Sequence, residues 1–243
     1  MSMSSRSARP LTRMVAAAAV VGGLIGLTGC AQIFDAFNAV QGNQEAVVPT
    51  PQATSSSGTA IDVPFDSQFT RDGSVSLSSD VADGLEVRLD VWAAEPKRTM
   101  EWWANGPKTF GMAVNAYDHR VDEKAVLTQK RRVYISQISI TSQTAQTSNQ
   151  SSAAFQFSAD PRTLVPADTL RSERGLLLNS FQGGLLIPEL VINQLPPDTY
   201  GITLQFAITV SVEGLANDDT TFAQQVVYQT LPIAIYAPET PEG

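Results

Sequence analysis

Leu85-Glu86-Val87-Arg88-Leu89-Asp90-Val91 alternates without a break: Leu, Val, Leu, Val on one side and Glu, Arg, Asp on the other. Side chains of an extended chain point to opposite faces in turn, so this segment offers one face to a core and one to water. Such alternation marks a half-buried antiparallel strand, because strands of parallel sheets are covered on both faces and read as unbroken apolar runs. Val75 and Leu77 lie upstream, and Asp83-Gly84 between the two segments is a favoured hairpin turn. A β-hairpin is predicted here.

The same texture runs from Ile61 to about Ala237. Further strands are predicted at Thr109–Tyr117, Arg131–Thr141, Ala153–Ser158, Leu185–Ile192, Tyr200–Val212 and Phe222–Tyr236. Within 131–141 the phase slips, since Val133 and Ile135 share one parity and Ile138 and Ile140 the other. A β-bulge near Ser136-Gln137 restores a single inward face. Thr141 to Ser152 is almost entirely Ser, Thr, Gln, Asn and Ala and is expected to be a polar loop. No long amphipathic helix is apparent. Short strands at this spacing predict an all-β fold, an antiparallel β-sandwich built from residues 61–238, long enough for one core without staples.

Leu195-Pro196-Pro197-Asp198-Thr199-Tyr200-Gly201 resembles the corner between the fifth and sixth strands of fibronectin type III and other immunoglobulin-like domains. The resemblance implies an immunoglobulin-like sandwich in which Tyr200 opens the penultimate strand. It also implies that the Tyr200 ring is buried and that its hydroxyl bonds back to the backbone. The chain is longer than one such domain requires, so extra strands or insertions are expected.

The N-terminus carries a second resemblance. Arg6, Arg9 and Arg13 form a positive segment, and Met14 to Gly26 is an apolar run too short for a comfortable membrane span. Leu27-Thr28-Gly29-Cys30 then resembles the lipobox of bacterial lipoproteins. The resemblance implies that residues 1–29 are a signal peptide and that Cys30 is lipidated and becomes the N-terminus. It places the protein on the extracytoplasmic face of the cell membrane, or of an outer membrane where one exists. Residues 30–60 read as a linker whose second half, rich in Pro, Ser and Thr, cannot bury enough apolar surface to fold. In its first half Ile33, Phe34, Phe37 and Val40 recur at helical spacing, either a turn or two at the lipid interface or a frayed spacer.

Cys30 is the only cysteine, so the mature domain has no disulfide and no thiol nucleophile. The formal charge of −8 becomes −11 when the three arginines of residues 1–29 are removed. Such a surface repels nucleic acid and anionic headgroups, so no nucleic-acid partner is expected.

His119 is the only histidine. It could pair with Asp118 or Asp122 as an acid–base unit, but no nucleophile elbow accompanies it, and a solvated turn residue is the simpler expectation. No catalytic residue, cofactor or metal site is nominated. Asp and Asn of Asn217-Asp218-Asp219 are turn formers first. The candidate ligand-binding residues are aromatic. Trp102 and Trp103 precede an Asn-Gly-Pro turn, and Tyr117 ends a predicted strand. Exposed, they would make a stacking platform for sugars or anchors for a protein; folded inward, they would be a lid on the sandwich. Trp92 lies opposite in parity to Leu85, Val87, Leu89 and Val91 and could join them. Two functions are therefore expected in order: a lipid-anchored, non-enzymatic module that binds or assembles with an envelope protein, then a carbohydrate- or cell-wall-binding module.

Overall fold

The structure, a computed structural model, describes residues 65–180 and 183–238. The expected signal peptide 1–29, Cys30, the expected linker 30–60 and the first residues of the predicted 61–238 domain lie outside the described residues. The hairpin that decides the fold is present: β1 (Ser74–Ala82) pairs antiparallel with β2 (Leu85–Ala93) through a turn in which Gly84 takes φ +59°. Leu85, Val87, Leu89 and Val91 are buried, as their alternation requires.

Chain order continues with β3 (Lys108–Asp118), β4 (Val133–Gln146), β5 (Gln156–Ala159), β6 (Arg171–Ser172), β7 (Gly175–Leu177), β8 (Leu185–Ile192), β9 (Thr199–Glu213) and β10 (Phe222–Ala234). One short helix, α1 (Gln68–Asp72), precedes β1; the Ser67 side chain caps its start and Gly73, at φ +71°, ends it. The strands form two antiparallel sheets. One has the order β1-β2-β3-β8, the other β10-β9-β4-β7-β6, with β5 also paired to β4. The chain changes sheet between β3 and β4, returns before β8, and changes again between β8 and β9. The inward side chains of both sheets join one hydrophobic core.

The register between β4 and β9 slips between Ile135 and Gln137, where the bulge is expected. It brings Val133, Ile135, Ile138 and Ile140 to the same buried face. The expected loop at 141–152 is corrected. β4 continues through Gln146 and turns Ser142, Thr144 and Gln146 inward, where they are buried. Their polar atoms have partners: Phe155 N donates to Ser142 Oγ at 2.7 Å, and Ser152 N and Gln146 Nε2 each donate to Thr144 Oγ1 at 2.8 Å. Hydrogen bonds replace apolar contact, so a strand exists where the hydrophobic alternation has stopped.

The corner at 195–200 is half as expected. Leu195 is buried, its N–H donates to Ala104 O at 2.7 Å, and β9 opens at Thr199. Tyr200, however, is only half-buried. Its ring stands edge-on to Phe65 with centroids 6.1 Å apart, and among the described residues its hydroxyl makes no hydrogen bond. Phe65 takes the space beside the strand: a Cβ at Gly201 would fall 2.4 Å from its ring. Tyr200→Phe is therefore expected to change stability by less than ~0.5 kcal/mol, the range of surface substitutions. Denaturant midpoints that differ by more than this at equal m-value would refute the assignment.

Two edge strands, one from each sheet, are tied by side chains. Gln225 Nε2 of β10 donates to Val81 O of β1 at 2.8 Å, and Gln229 Nε2 donates to Ser79 Oγ at 2.6 Å and Ser78 O at 3.1 Å. α1 adds to this seam. Ser67 Oγ donates to Pro232 O at 2.5 Å, and Ala234 N donates to Thr70 Oγ1 at 3.0 Å.

Candidate functional site

The nominated aromatics do not converge. Trp102 follows a 3₁₀ segment (Pro96–Glu101) and folds inward. It is 7% exposed, with its ring 5.5 Å from Phe69. Its carbonyl accepts from Tyr236 N at 3.0 Å, and Trp103, half-buried, forms an isolated parallel bridge to Tyr236. The pair is thus pinned to the segment after β10 and is no shared platform: Trp102 belongs to the core. Trp92 does lie on the outer face of the four-stranded sheet. It crosses its neighbour Gly111 so closely that a Cβ there would fall 2.7 Å from the indole.

Tyr117 stands apart from these, on the outer face near the end of β3. Cross-strand pairing sets it opposite Glu86, and Arg88 and His119 complete a cluster. The Glu86 carboxylate accepts from Arg88 Nε at 2.8 Å, from Ser78 Oγ at 2.6 Å and from His119 Nε2 at 2.7 Å. The hydrogen bond from Arg88 does most to hold the Glu86 carboxyl down at about 2, with burial opposing and Ser78 and His119 assisting. The Arg88 guanidinium sits 4.6 Å from the Tyr117 ring centroid, and the His119 ring stacks on Tyr117 at 6.3 Å and 19°. His119 is exposed in a turn, and its partner is Glu86, not Asp118 or Asp122.

Beside this cluster opens a cleft of about 1080 Å³ between β3 and the segment leading to β4. Arg88, Lys124 and Lys130 with Asp118 and Glu123 give it a charged wall, Tyr117 and His119 an aromatic one, and Leu127 and Leu170 supply apolar surface. The wall rests on a buried ion pair that sequence reading missed. Arg131 Nη2 and Nε donate to the two Asp118 oxygens at 2.8 and 3.1 Å, and Arg131 Nη2 also donates to Asp83 O at 2.7 Å. Burial raises the Asp118 pKa, but the bonds from Arg131 outweigh it and hold the carboxyl below the usual range. The pair ties the β1–β2 turn to the end of β3 and the start of β4. One signal was available: Asp118 has the inward parity of Met112, Val114 and Ala116.

Lys108 was also missed. It is fully buried, and its Nζ donates to the carbonyls of Gly106, Asn193 and Ala104 at 2.5, 3.2 and 3.3 Å. Burial pulls its amine down to about 8. The unfolded chain then binds more protons than the folded one between pH 8 and the ordinary lysine value near 10.4, so this group makes stability rise with pH across that window. Tyr236, whose hydroxyl burial pushes up, opposes this trend above about pH 10. Urea midpoints should rise between pH 8 and 10; in Lys108→Met the rise should vanish.

Asn217, at φ +62°, turns the β9–β10 hairpin, while Asp218 accepts from Thr220 and Asp219 pairs with Arg132. Among the described residues no three His, Cys, Asp or Glu side chains come together in a way that could hold a metal ion. No protein-family model matches this chain, and no curated protein sequence matches it.

Proposed function

We propose that this protein is a lipid-anchored, non-enzymatic binding module of a bacterial cell envelope, and that it meets a protein partner through the Tyr117 cleft. The lipobox at Leu27–Cys30 and the linker after it support the anchor. The sandwich is read as immunoglobulin-like on its strand order. β2-β3-β8 facing β10-β9-β4, with three changes of sheet, has the Greek-key pattern of those domains, and β1 is an added edge strand. One observation carries the binding reading: Tyr117, held between Arg88 and His119, lines a solvent-facing cleft. Tyrosine and arginine are the residue types that dominate protein–protein hot spots, and pre-ordering them lowers the entropy cost of association.

Two experiments test the two halves. Cys30→Ser should leave the precursor unprocessed, and mass spectrometry of the membrane fraction should find the wild-type N-terminus at Cys30; a mature N-terminus elsewhere overturns the anchor. A photo-crosslinking residue at Leu127 should trap one discrete envelope protein in cells, and Arg88→Ala with Tyr117→Ala should abolish the adduct. An adduct that survives both changes overturns the cleft. The second reading, a carbohydrate- or cell-wall-binding module, loses Trp102 as a platform because that ring is buried; its support lies on the opposite sheet.

A further inference from the structure

The two outer faces of the sandwich differ in charge. On the four-stranded sheet Asp80, Glu86, Arg88 and Asp90 share the outward side of paired strands. On the six-stranded sheet, successive registered rows across β10, β9 and β4 read Val226–Thr209–Gln137 and Tyr228–Ala207–Ser139. The next row is Thr230, Gln205 and Thr141, and β5 adds Ser158 and Gln156 beside β4. No side chain in these rows is charged at neutral pH. The chain has a formal charge of −8, and about a quarter to a third of an ordinary soluble surface is charged. The gap therefore falls where charge is otherwise expected. Charged groups resume at the end row, where Arg132 binds Glu213 and Asp219, and just past β5, where Asp160 binds Arg162.

We propose that this face binds an uncharged polysaccharide. Neighbouring strands are about 4.8 Å apart and same-face side chains about 7 Å apart along each strand, so hydroxyls and amides form a flat grid. Serine, threonine and glutamine both donate and accept, which suits a ligand made of neutral hydroxyls. Tyr228, 56% exposed, and Val226, 42% exposed, supply a stacking ring and an apolar patch for a sugar face. A charged polymer would find no counter-charge here. A second copy of the chain fits less well, because protein interfaces are depleted in the Ser and Ala that this face carries. The surface is separate from the Tyr117 cleft, so the inference does not depend on the protein-partner reading.

The test is native affinity electrophoresis of the full-length protein in detergent, in gels containing a neutral β-glucan, a neutral α-glucan or a galactomannan. At least one should retard the wild type, equally at low and high salt, because no ion pairs contribute. Ala207→Arg and Ala207→Glu place opposite charges at the centre of the grid, and each should weaken retention by at least ~10-fold, since a charge covered by a neutral ligand loses its water without gaining a partner. Thr230→Lys, at an exposed position, should do the same if either Ala207 variant melts early. Tyr117→Ala should leave retention unchanged. Absence of retardation by all three polymers overturns the proposal, as does retention that survives Ala207→Arg and Thr230→Lys. Opposite responses to Arg and Glu would overturn it in favour of a charged partner, and a dimer dispersed by Ala207→Arg in sedimentation would overturn it in favour of self-association.

Discussion

Asp118→Ala is expected to lower the unfolding free energy by about 3–5 kcal/mol, the usual cost of leaving one member of a buried ion pair behind. Asp118 and Arg131 have side chains 1% and 2% exposed, so water cannot replace the lost partner. Arg131 would keep its bond to Asp83 O but lose both carboxylate oxygens. The double change Asp118→Ala, Arg131→Met should recover part of the loss, because the uncompensated charge is gone. Urea denaturation of the three variants measures this; a single-variant cost below ~1 kcal/mol would show that the pair is not buried in solution. Acid should act through the same group. Asp118 and Glu213 are each pushed up by burial and pulled further down by their arginines, and Glu86 is held near 2 chiefly by Arg88. A carboxylate with a lowered folded pKa contributes stability that is present above its unfolded pKa, about 4, and is lost as pH falls through the folded value. The melting temperature should therefore hold down to about pH 4.5 and fall steadily below it.

Trp102→Ala is expected to cost about 3–5 kcal/mol, in the range for removing a large aromatic from a core. Trp103→Ala should cost distinctly less, since that ring is only half-buried. Paired variants make the comparison internal: equal losses at the two positions would refute the difference in burial between the two rings. Neither change should affect the binding proposed for the Tyr117 cleft except through unfolding, which separates this outcome from a sugar platform built on the two rings.

Where hydrophobic alternation carried the pattern, the fold was legible. Leu85 to Val91, the Asp83-Gly84 turn and the phase slip at Ser136-Gln137 all appear as strand, hairpin and bulge. Legibility failed where polar side chains took inward positions. Ser142, Thr144 and Gln146 extend β4 by satisfying one another and nearby backbone, which no hydrophobic count registers. Lys108 and Asp118 stand at the two ends of β3 on its buried side, Lys108 compensated by carbonyls of the preceding turn and of Asn193, Asp118 by Arg131 across the loop to β4. Trp102 and Trp103 could not be ordered from sequence because a 3₁₀ segment precedes them and breaks the phase of the strands. For the site, parity placed Trp92 on the outer face, but the orientation of Tyr117 and its neighbours Arg88 and His119 required the β2–β3 register.

The bonds that join α1 and β1 to β10 have a mechanical consequence. A pull entering ahead of Phe65 reaches α1 first, where Ser67 and Thr70 are bound to the backbone of β10. It then reaches β1, whose carbonyls are gripped by Gln225 and Gln229 of the same strand. Force is thereby divided between both sheets at the point of entry, and β1 cannot peel from β2 one rung at a time without first releasing the last strand of the other layer. Single-molecule stretching from the N-terminal side should show one high rupture event, and Gln225→Ala with Gln229→Ala should split it into an early detachment of β1 and a later, weaker break.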